Sequence, residues 1–334
     1  MTRQLMTRQL MTRQLMSSPT HYAQEVLHTF GFLDNFARVT RVTRVTPMKP
    51  NTHSSFVKKW LWPLPQTRFP QTLSRHCGKS GFNDLVTMTR PDLAWSCSEL
   101  SKYVQVPGQS HMEEAEHVLR YRTCSTLPNM FYVTEHVLRY LRATWNETIT
   151  YTRGSRRVNE SWGWVDADWA GDTDTHRSHM GYILMMNGGP ISWKSCRQDS
   201  VSLSTWEAEF VAESQVSQEV VYRQTLRDFG YPQSTATDIF EHFLACIAMS
   251  ENPLRQKFSW HIDMRRFFVR ELVKTGIVKL ILLRTHTGKM VADTLTKSLP
   301  SPALIAHRKV MLGQVPFSLK ILGGCLNYIS ITMI

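Results

Sequence analysis

The sequence contains no C-x-x-C pair. Its six cysteines, Cys77, Cys97, Cys124, Cys196, Cys246 and Cys325, are irregularly spaced, which argues against a zinc site or a disulfide framework and makes a reducing compartment the default. No run of 18 apolar residues occurs. The nearest stretch, Ile321 to Ile334, is too short and is interrupted by Asn327, so no membrane span is expected. No acid precedes Glu25, a trait of transit peptides, but no amphipathic apolar face accompanies the early arginines. With no secretion signal either, a cytoplasmic or nuclear setting is expected.

What is present is an excess of positive charge. Thirty-nine Lys and Arg stand against 27 Asp and Glu, a formal charge of +12 over 334 residues. That excess suits a polyanionic partner, nucleic acid or an anionic membrane surface, and equally suits a solubilising surface. Hydrophobic residues make up 42% of the chain, enough for a core. The chain opens with Met-Thr-Arg-Gln-Leu written three times, and Arg-Val-Thr repeats three times from Arg38 to Thr46. Repeats this short match no solenoid unit. A proline-bearing stretch follows from Pro47 to Pro70. Residues 1–84 are therefore expected to be low in complexity and poorly ordered.

Order is expected from Leu85. Pro91 and Asp92 suit the first turn of a helix, and Leu93, Cys97, Leu100 and Val104 continue it at helical spacing. The hexapeptide Glu116-His-Val-Leu-Arg-Tyr121 returns as Glu135-His-Val-Leu-Arg-Tyr140, which reads as a local duplication around a loop from Arg122 to Thr134. From Trp162 the period becomes that of strands. Strands are expected near 162–168, 181–186 and 191–194, the last two joined by Asn187-Gly188-Gly189. Ser204, with Glu207 three residues on, predicts a capping box and a long helix ending at Gly230. A short strand at 238–242, helices at 244–251 and 259–274, a strand at 278–284 and a helical turn at 289–297 complete the pattern.

Three acids stand out. Glu209, Ala212, Val216 and Val220 recur at helical spacing, so Glu209 ends an apolar stripe and needs a partner or a metal. Asp166 and Asp168 straddle a strand end before Gly171, where an ordinary turn is the plainer explanation. Asp293 lies beside Val291 and Leu295, where a helix-start acid is the plainer explanation. Hard oxygen ligands drawn from several elements suit magnesium, and two such ions suit phosphodiester hydrolysis.

Six motifs then occur in one order: Thr89-Arg-Pro-Asp-Leu-Ala94, Asp166-Ala-Asp-Trp-Ala-Gly171, Ile191-Ser-Trp-Lys194, Glu207-Ala-Glu-Phe210, His261-Ile-Asp-Met-Arg265 and Val291-Ala-Asp-Thr-Leu-Thr-Lys297. Together they resemble the C-terminal part of copia-type retrotransposon polyproteins. The resemblance implies the end of a reverse transcriptase at 85–154, a ribonuclease H domain at 160–313 and a tail at 314–334. The implied fold is α/β: a ribonuclease H-like mixed five-stranded sheet flanked by helices, behind a helical reverse-transcriptase remnant.

The resemblance also implies the chemistry, hydrolysis of RNA in RNA–DNA hybrids with two magnesium ions and no small-molecule cofactor. Asp166 matches the aspartate that bridges the ions, Glu209 the helix glutamate and Asp293 the final aspartate. His286 matches a mobile histidine that assists proton transfer or product release. The family's remaining acid, an aspartate followed by asparagine, is replaced here by His242-Phe243. Imidazole is a poor magnesium ligand and brings no negative charge, so impaired catalysis is expected. Glu241, adjacent on a strand, would point to the opposite face, and Asp238 would lie about 13 Å away. Nothing before residue 85 resembles the paired polymerase aspartates, so no polymerase activity is expected. Trp260 stands where the family often has a basic residue. With the repeats, these departures mark a degenerate copy, and the alternatives are a non-enzymatic nucleic-acid-binding remnant or an inert pseudogene product. Nothing in the sequence sets an oligomeric state.

Overall fold

In the computed structural model, the residues described are 23–24, 82–101, 137, 139–152, 159–251, 260–283 and 289–315. The first copy of the repeated hexapeptide, the 122–134 loop, His286 and residues 316–334 lie outside them, as does nearly all of the N-terminal stretch. Ala23 is the exception, buried at 2% exposure in the core described next.

The architecture is set by β1 (Ser161–Asp168), buried along almost its whole length. A strand covered on both faces must be central. β2 (His179–Met186) and β3 (Gly189–Arg197) follow it as antiparallel neighbours. β4 (Thr237–Glu241) pairs parallel to β1 on the other side, and β5 (Val278–Leu282) parallel to β4. The order β3-β2-β1-β4-β5 is the mixed five-stranded sheet that the resemblance implies. The β2–β3 turn places both Asn187 (φ 51°) and Gly188 (φ 82°) in the left-handed region, as a two-residue hairpin turn that follows strand twist requires.

Alternation along β1 and β4 gives the sheet two apolar faces. Trp162, Trp164 and Phe240 face one core, Val165, Ala167 and Ile239 the other. The second core is covered by α3 (Thr205–Val220), with Ala208, Ala212 and Val216 inward, and by α6 (Trp260–Lys274), with Leu272 inward. α5 (Leu244–Glu251) adds Ile247. The first core is covered by α1 (Phe82–Met88), a 3-10 turn Pro91–Leu93, α2 (Ala94–Ser101) and a helical stretch at 139–143 that begins with the last two residues of the second hexapeptide copy. Leu85, Leu93, Tyr140 and Leu141 are each at most 1% exposed there. Burying aliphatic side chains of this size stabilises by roughly 1.5–3 kcal/mol apiece.

Local details depart from the sequence expectations. Asp92 stands in the first turn, as expected, but its carboxylate is also spent elsewhere. It forms a buried two-point pair with Arg90 (2.9 and 2.7 Å) and accepts the Tyr140 hydroxyl at 2.7 Å. Arg308, on α7 (Ser301–Met311), donates to Tyr140 and pairs with Glu147. The capping box is incomplete, because the Ser204 hydroxyl makes no cap and Glu207 accepts the amide of Leu203 instead. The long helix breaks at Val221, and a separate α4 (Arg223–Asp228) carries the chain to Gly230. Among the described residues, no helix is long and apolar enough to cross a membrane.

Candidate metal centre

Asp166 sits near the end of β1, on the face of Trp164, with its side chain 1% exposed. Its ladder partner on β2 is Gly181. A Cβ on Gly181 would stand 2.4 Å from the Leu295 Cβ, so only a bare backbone lets the 3-10 helix Val291–Leu295 lie on the sheet at this point. That contact delivers Asp293, Thr296 and Lys297 to Asp166. The Thr296 hydroxyl donates to Asp166 Oδ2. Lys297 Nζ lies 2.8 Å from Asp293 Oδ1 and 3.7 Å from Asp166 Oδ2.

Glu209 reaches the same place from α3, as the apolar stripe predicts, and is 1% exposed. His242, one residue past β4, lies between the acids. Its Nδ1 is 3.4 Å from Asp166 Oδ1 and its Nε2 3.4 Å from Glu209 Oε1. Asp166, Glu209 and His242 each offer a ligand atom within 4.8 Å of the others. His286 lies outside the described residues.

Two further carboxylates stand behind these. Alternation does place Glu241 on the α3 face of β4, as the sequence suggests, but the strand ends there and the side chain stays at the site. Its Oε1 accepts the amides of His242 (2.9 Å) and Phe243 (3.1 Å) and lies 3.6 Å from His242 Nδ1. Glu213, one turn after Glu209, accepts the Ser250 hydroxyl at 2.6 Å. Asp238 is paired with Trp162, four residues back from Asp166 along β1, and takes no part.

The electrostatics follow from this crowding. Burial lifts the Glu209 carboxyl well above its ordinary range, and the neighbouring charges of Glu241 and Asp166 lift it further. Glu241 is raised by burial, then by Glu213. Burial pushes Glu213 up to about 8. Burial and the Asp166 charge push Asp293 up to about 7, against the pull of Lys297. For Lys297, burial works against the charge, but Asp166 and Asp293 outweigh it and hold the amine at about 12.

One observation tests whether the residues fit a cation. Asp166 Oδ1, both Glu209 oxygens, Glu241 Oε2, Glu213 Oε2 and Asp293 Oδ2 are buried without a hydrogen-bond partner. Buried carboxylate oxygens are normally paired or bound to metal. A hard divalent cation fits the oxygens of Asp166 and Glu209, and the imidazole of His242 beside them is the discordant ligand.

No protein-family model matches the chain. A stretch of 213 residues, 64% of the chain, is 32% identical to the retrovirus-related Pol polyprotein from transposon TNT 1-94 of Nicotiana tabacum. The Pol polyprotein from transposon RE2 of Arabidopsis thaliana matches 75% of the chain at 29% identity. Its homologues are the retrovirus-related Pol polyproteins of copia-type transposons, matched over 64–81% of the chain. It spans 14% and 16% of the length of those two relatives. A shorter match, 35% identical over 139 residues, takes in 82% of the secreted RxLR effector protein 161 of Plasmopara viticola but 41% of this chain.

Sequence reasoning missed four residues of the site. Lys297 had a signal, its four-residue spacing from Asp293. Glu213 had one too, four residues after Glu209 on the same stripe. Thr296 and Glu241 had none, because both depend on where a short element stops.

Proposed function

We propose that this Pol segment is a ribonuclease H-like hydrolase acting on the RNA strand of RNA–DNA hybrids, impaired by His242. The orphaned oxygens of Asp166, Glu209 and Asp293, converging from a strand, a helix and a 3-10 helix, carry this reading. Asp166, Glu209 and Asp293 would hold the divalent ions, magnesium being the one their hard oxygens suit. The ions would supply charge stabilisation for the phosphorane-like transition state and an activated water.

The chain's own residues set the rest. Thr296 fixes one oxygen of Asp166, leaving Oδ1 to face the site. Lys297 offsets the charge of Asp166 and Asp293 while no phosphate is bound. His242 stands against Asp166 and Glu209 with no charge of the needed sign, so substrate phosphate and cation cannot be held in register. The segment ahead of the sheet is read as the end of the reverse transcriptase, without polymerase chemistry.

The test is cleavage of a labelled RNA–DNA hybrid with magnesium, with circular dichroism to follow folding. The unmodified chain should cleave little or not at all. His242→Asp should raise cleavage by orders of magnitude, and adding Asp166→Asn should abolish the gain. Robust cleavage by the unmodified chain overturns the impairment; a folded, inactive His242→Asp chain overturns the nuclease reading.

A second reading, nucleic-acid binding without cleavage, is favoured by α6. Arg265, Arg270 and Lys274 lie on it, and the Arg270 guanidinium sits 5.0 Å over the exposed Phe267 ring. Arg266, on the same helix, is buried at 8% exposure and is not free for phosphate.

A further inference from the structure

We propose that Glu99, on a helix ahead of the sheet, positions the metal centre through His179 and Ser195. The inference rests on the metal-site reading above and names the residues that hold its 3-10 helix in place.

The contacts start from one row of the sheet. Asp166 on β1, Gly181 on β2 and Ser195 on β3 are successive ladder partners. The 3-10 helix Val291–Leu295 meets this row at the bare backbone of Gly181. It is fastened on both sides of that point. On one side the Thr296 hydroxyl donates to Asp166 Oδ2. On the other the Ser195 hydroxyl donates to the Leu295 carbonyl at 2.6 Å. Leu295 and Thr296 are consecutive, so the Ser195 bond sets where Thr296 meets the aspartate of the site.

The Ser195 bond is itself directed. A hydroxyl has one hydrogen to donate, and Ser195 gives it to Leu295. At its 2.9 Å contact with His179 Nε2 the hydroxyl therefore accepts, and Nε2 carries the hydrogen. The other ring nitrogen, Nδ1, lies 3.5 Å from Glu99 Oε1. The His179 side chain is 3% exposed and that of Glu99 19%, so water screens the pair little. A carboxylate beside Nδ1 fixes the orientation of the ring. Glu99 belongs to α2 (Ala94–Ser101), outside the sheet. The relay thus carries the placement of α2 through β2 and β3 to Asp166, each residue acting as a positioning residue for the next.

Hydrogen–deuterium exchange of the full chain reads this without a metal. The amides of Asp293, Thr296 and Lys297 are bonded within the 3-10 helix and its last turn, and those of β4 serve as an internal control. Ser195→Ala and His179→Leu should each speed exchange across 291–297 tenfold or more and leave β4 unchanged. His179→Gln, which keeps a donor near the Nε2 position, should restore most of the protection. Glu99→Ala leaves the sheet untouched and should speed the same amides at least threefold. Manganese is then titrated in, and the free ion is counted by electron paramagnetic resonance. Binding should weaken in the order in which exchange quickens.

Unchanged exchange across 291–297 in Ser195→Ala overturns the proposal. So does equal acceleration in β4, which would make the effect a general loss of stability. His179→Gln exchanging as fast as His179→Leu overturns it by reducing the ring to filler, and Glu99→Ala exchanging at the parent's rate overturns it by cutting α2 out of the relay. Should the inner variants fail to fold, Glu99→Ala decides alone. Faster exchange in variants of a chain that binds no manganese leaves the relay in place and removes the metal-site reading alone.

Discussion

Gly181 lies directly across the β1–β2 ladder from Asp166, and the Cβ it lacks would stand 2.4 Å from the Leu295 Cβ. The acid on one strand thus depends on the absence of a side chain on the next. Gly181→Ala should lift the 3-10 helix from the sheet and draw Asp293 away from Asp166. Overpacking of this kind costs about 1–3 kcal/mol. The expected result is a folded chain with a lowered melting temperature and weaker manganese binding. A variant that binds manganese as before shows that the 3-10 helix is held by its other contacts.

Lys297 bridges Asp293 and Asp166. Its amine is held at about 12, above the unfolded value of about 10.4, so its stabilising contribution is complete below that unfolded value and is lost as pH rises through the folded one. Lys297→Met should therefore melt at a lower temperature at neutral pH. The two carboxylates left without a cation should also bind manganese more strongly, so added manganese should raise the melting temperature more in the variant than in the parent. Equal shifts would remove Lys297 from the charge balance.

The buried acids set an unusual dependence of stability on pH. Glu213 is pushed up to about 8 by burial. Between the ordinary glutamate range and that value, the native chain keeps a proton that the unfolded chain has released, so stability falls as pH rises across this window. Glu209 and Glu241 are raised in the same direction. Glu213→Gln keeps an acceptor for Ser250 and removes one titration. It should stabilise by up to a few kcal/mol at pH 9 and change little at pH 4. Denaturant melts across pH read this directly, and an unaltered slope rejects the raised value.

Hybrid-duplex binding should be non-specific and steeply salt-dependent, given the net charge of +12 and the α6 cations. Released counterions make log affinity fall linearly with log salt. Arg270→Ala and Lys274→Ala should each reduce the slope by about one, while Arg266→Ala should act on stability instead. Affinity indifferent to salt would leave the charge as a solubilising surface.

Much of the framework was legible because it rests on local pattern. The Asn187-Gly188 turn, the alternation of Trp162, Trp164 and Asp166, and the stripe that buries Glu209 are all short-range signals. What escaped was set at a distance or at an end. The partner of Asp92 turned out to be Arg90, with Tyr140 across 48 residues. The helix Ser301–Met311 had no strong cap to announce it, since Pro300 gives no side-chain bond. Glu241 was assigned to the correct face, but its carboxylate stays beside His242, because alternation describes the middle of a strand and β4 stops at that residue.

The covering of the first core has one consequence for how the chain can be divided. Trp193 of the sheet donates to the Val86 carbonyl, and Leu85, Tyr140 and Leu141 share a core with Trp164 and Phe240. The residues ahead of the sheet and the sheet itself therefore share one packed interior. A cut between them would bare the apolar face of Trp164 and Phe240 to water, so neither half is a unit that can be lifted out alone.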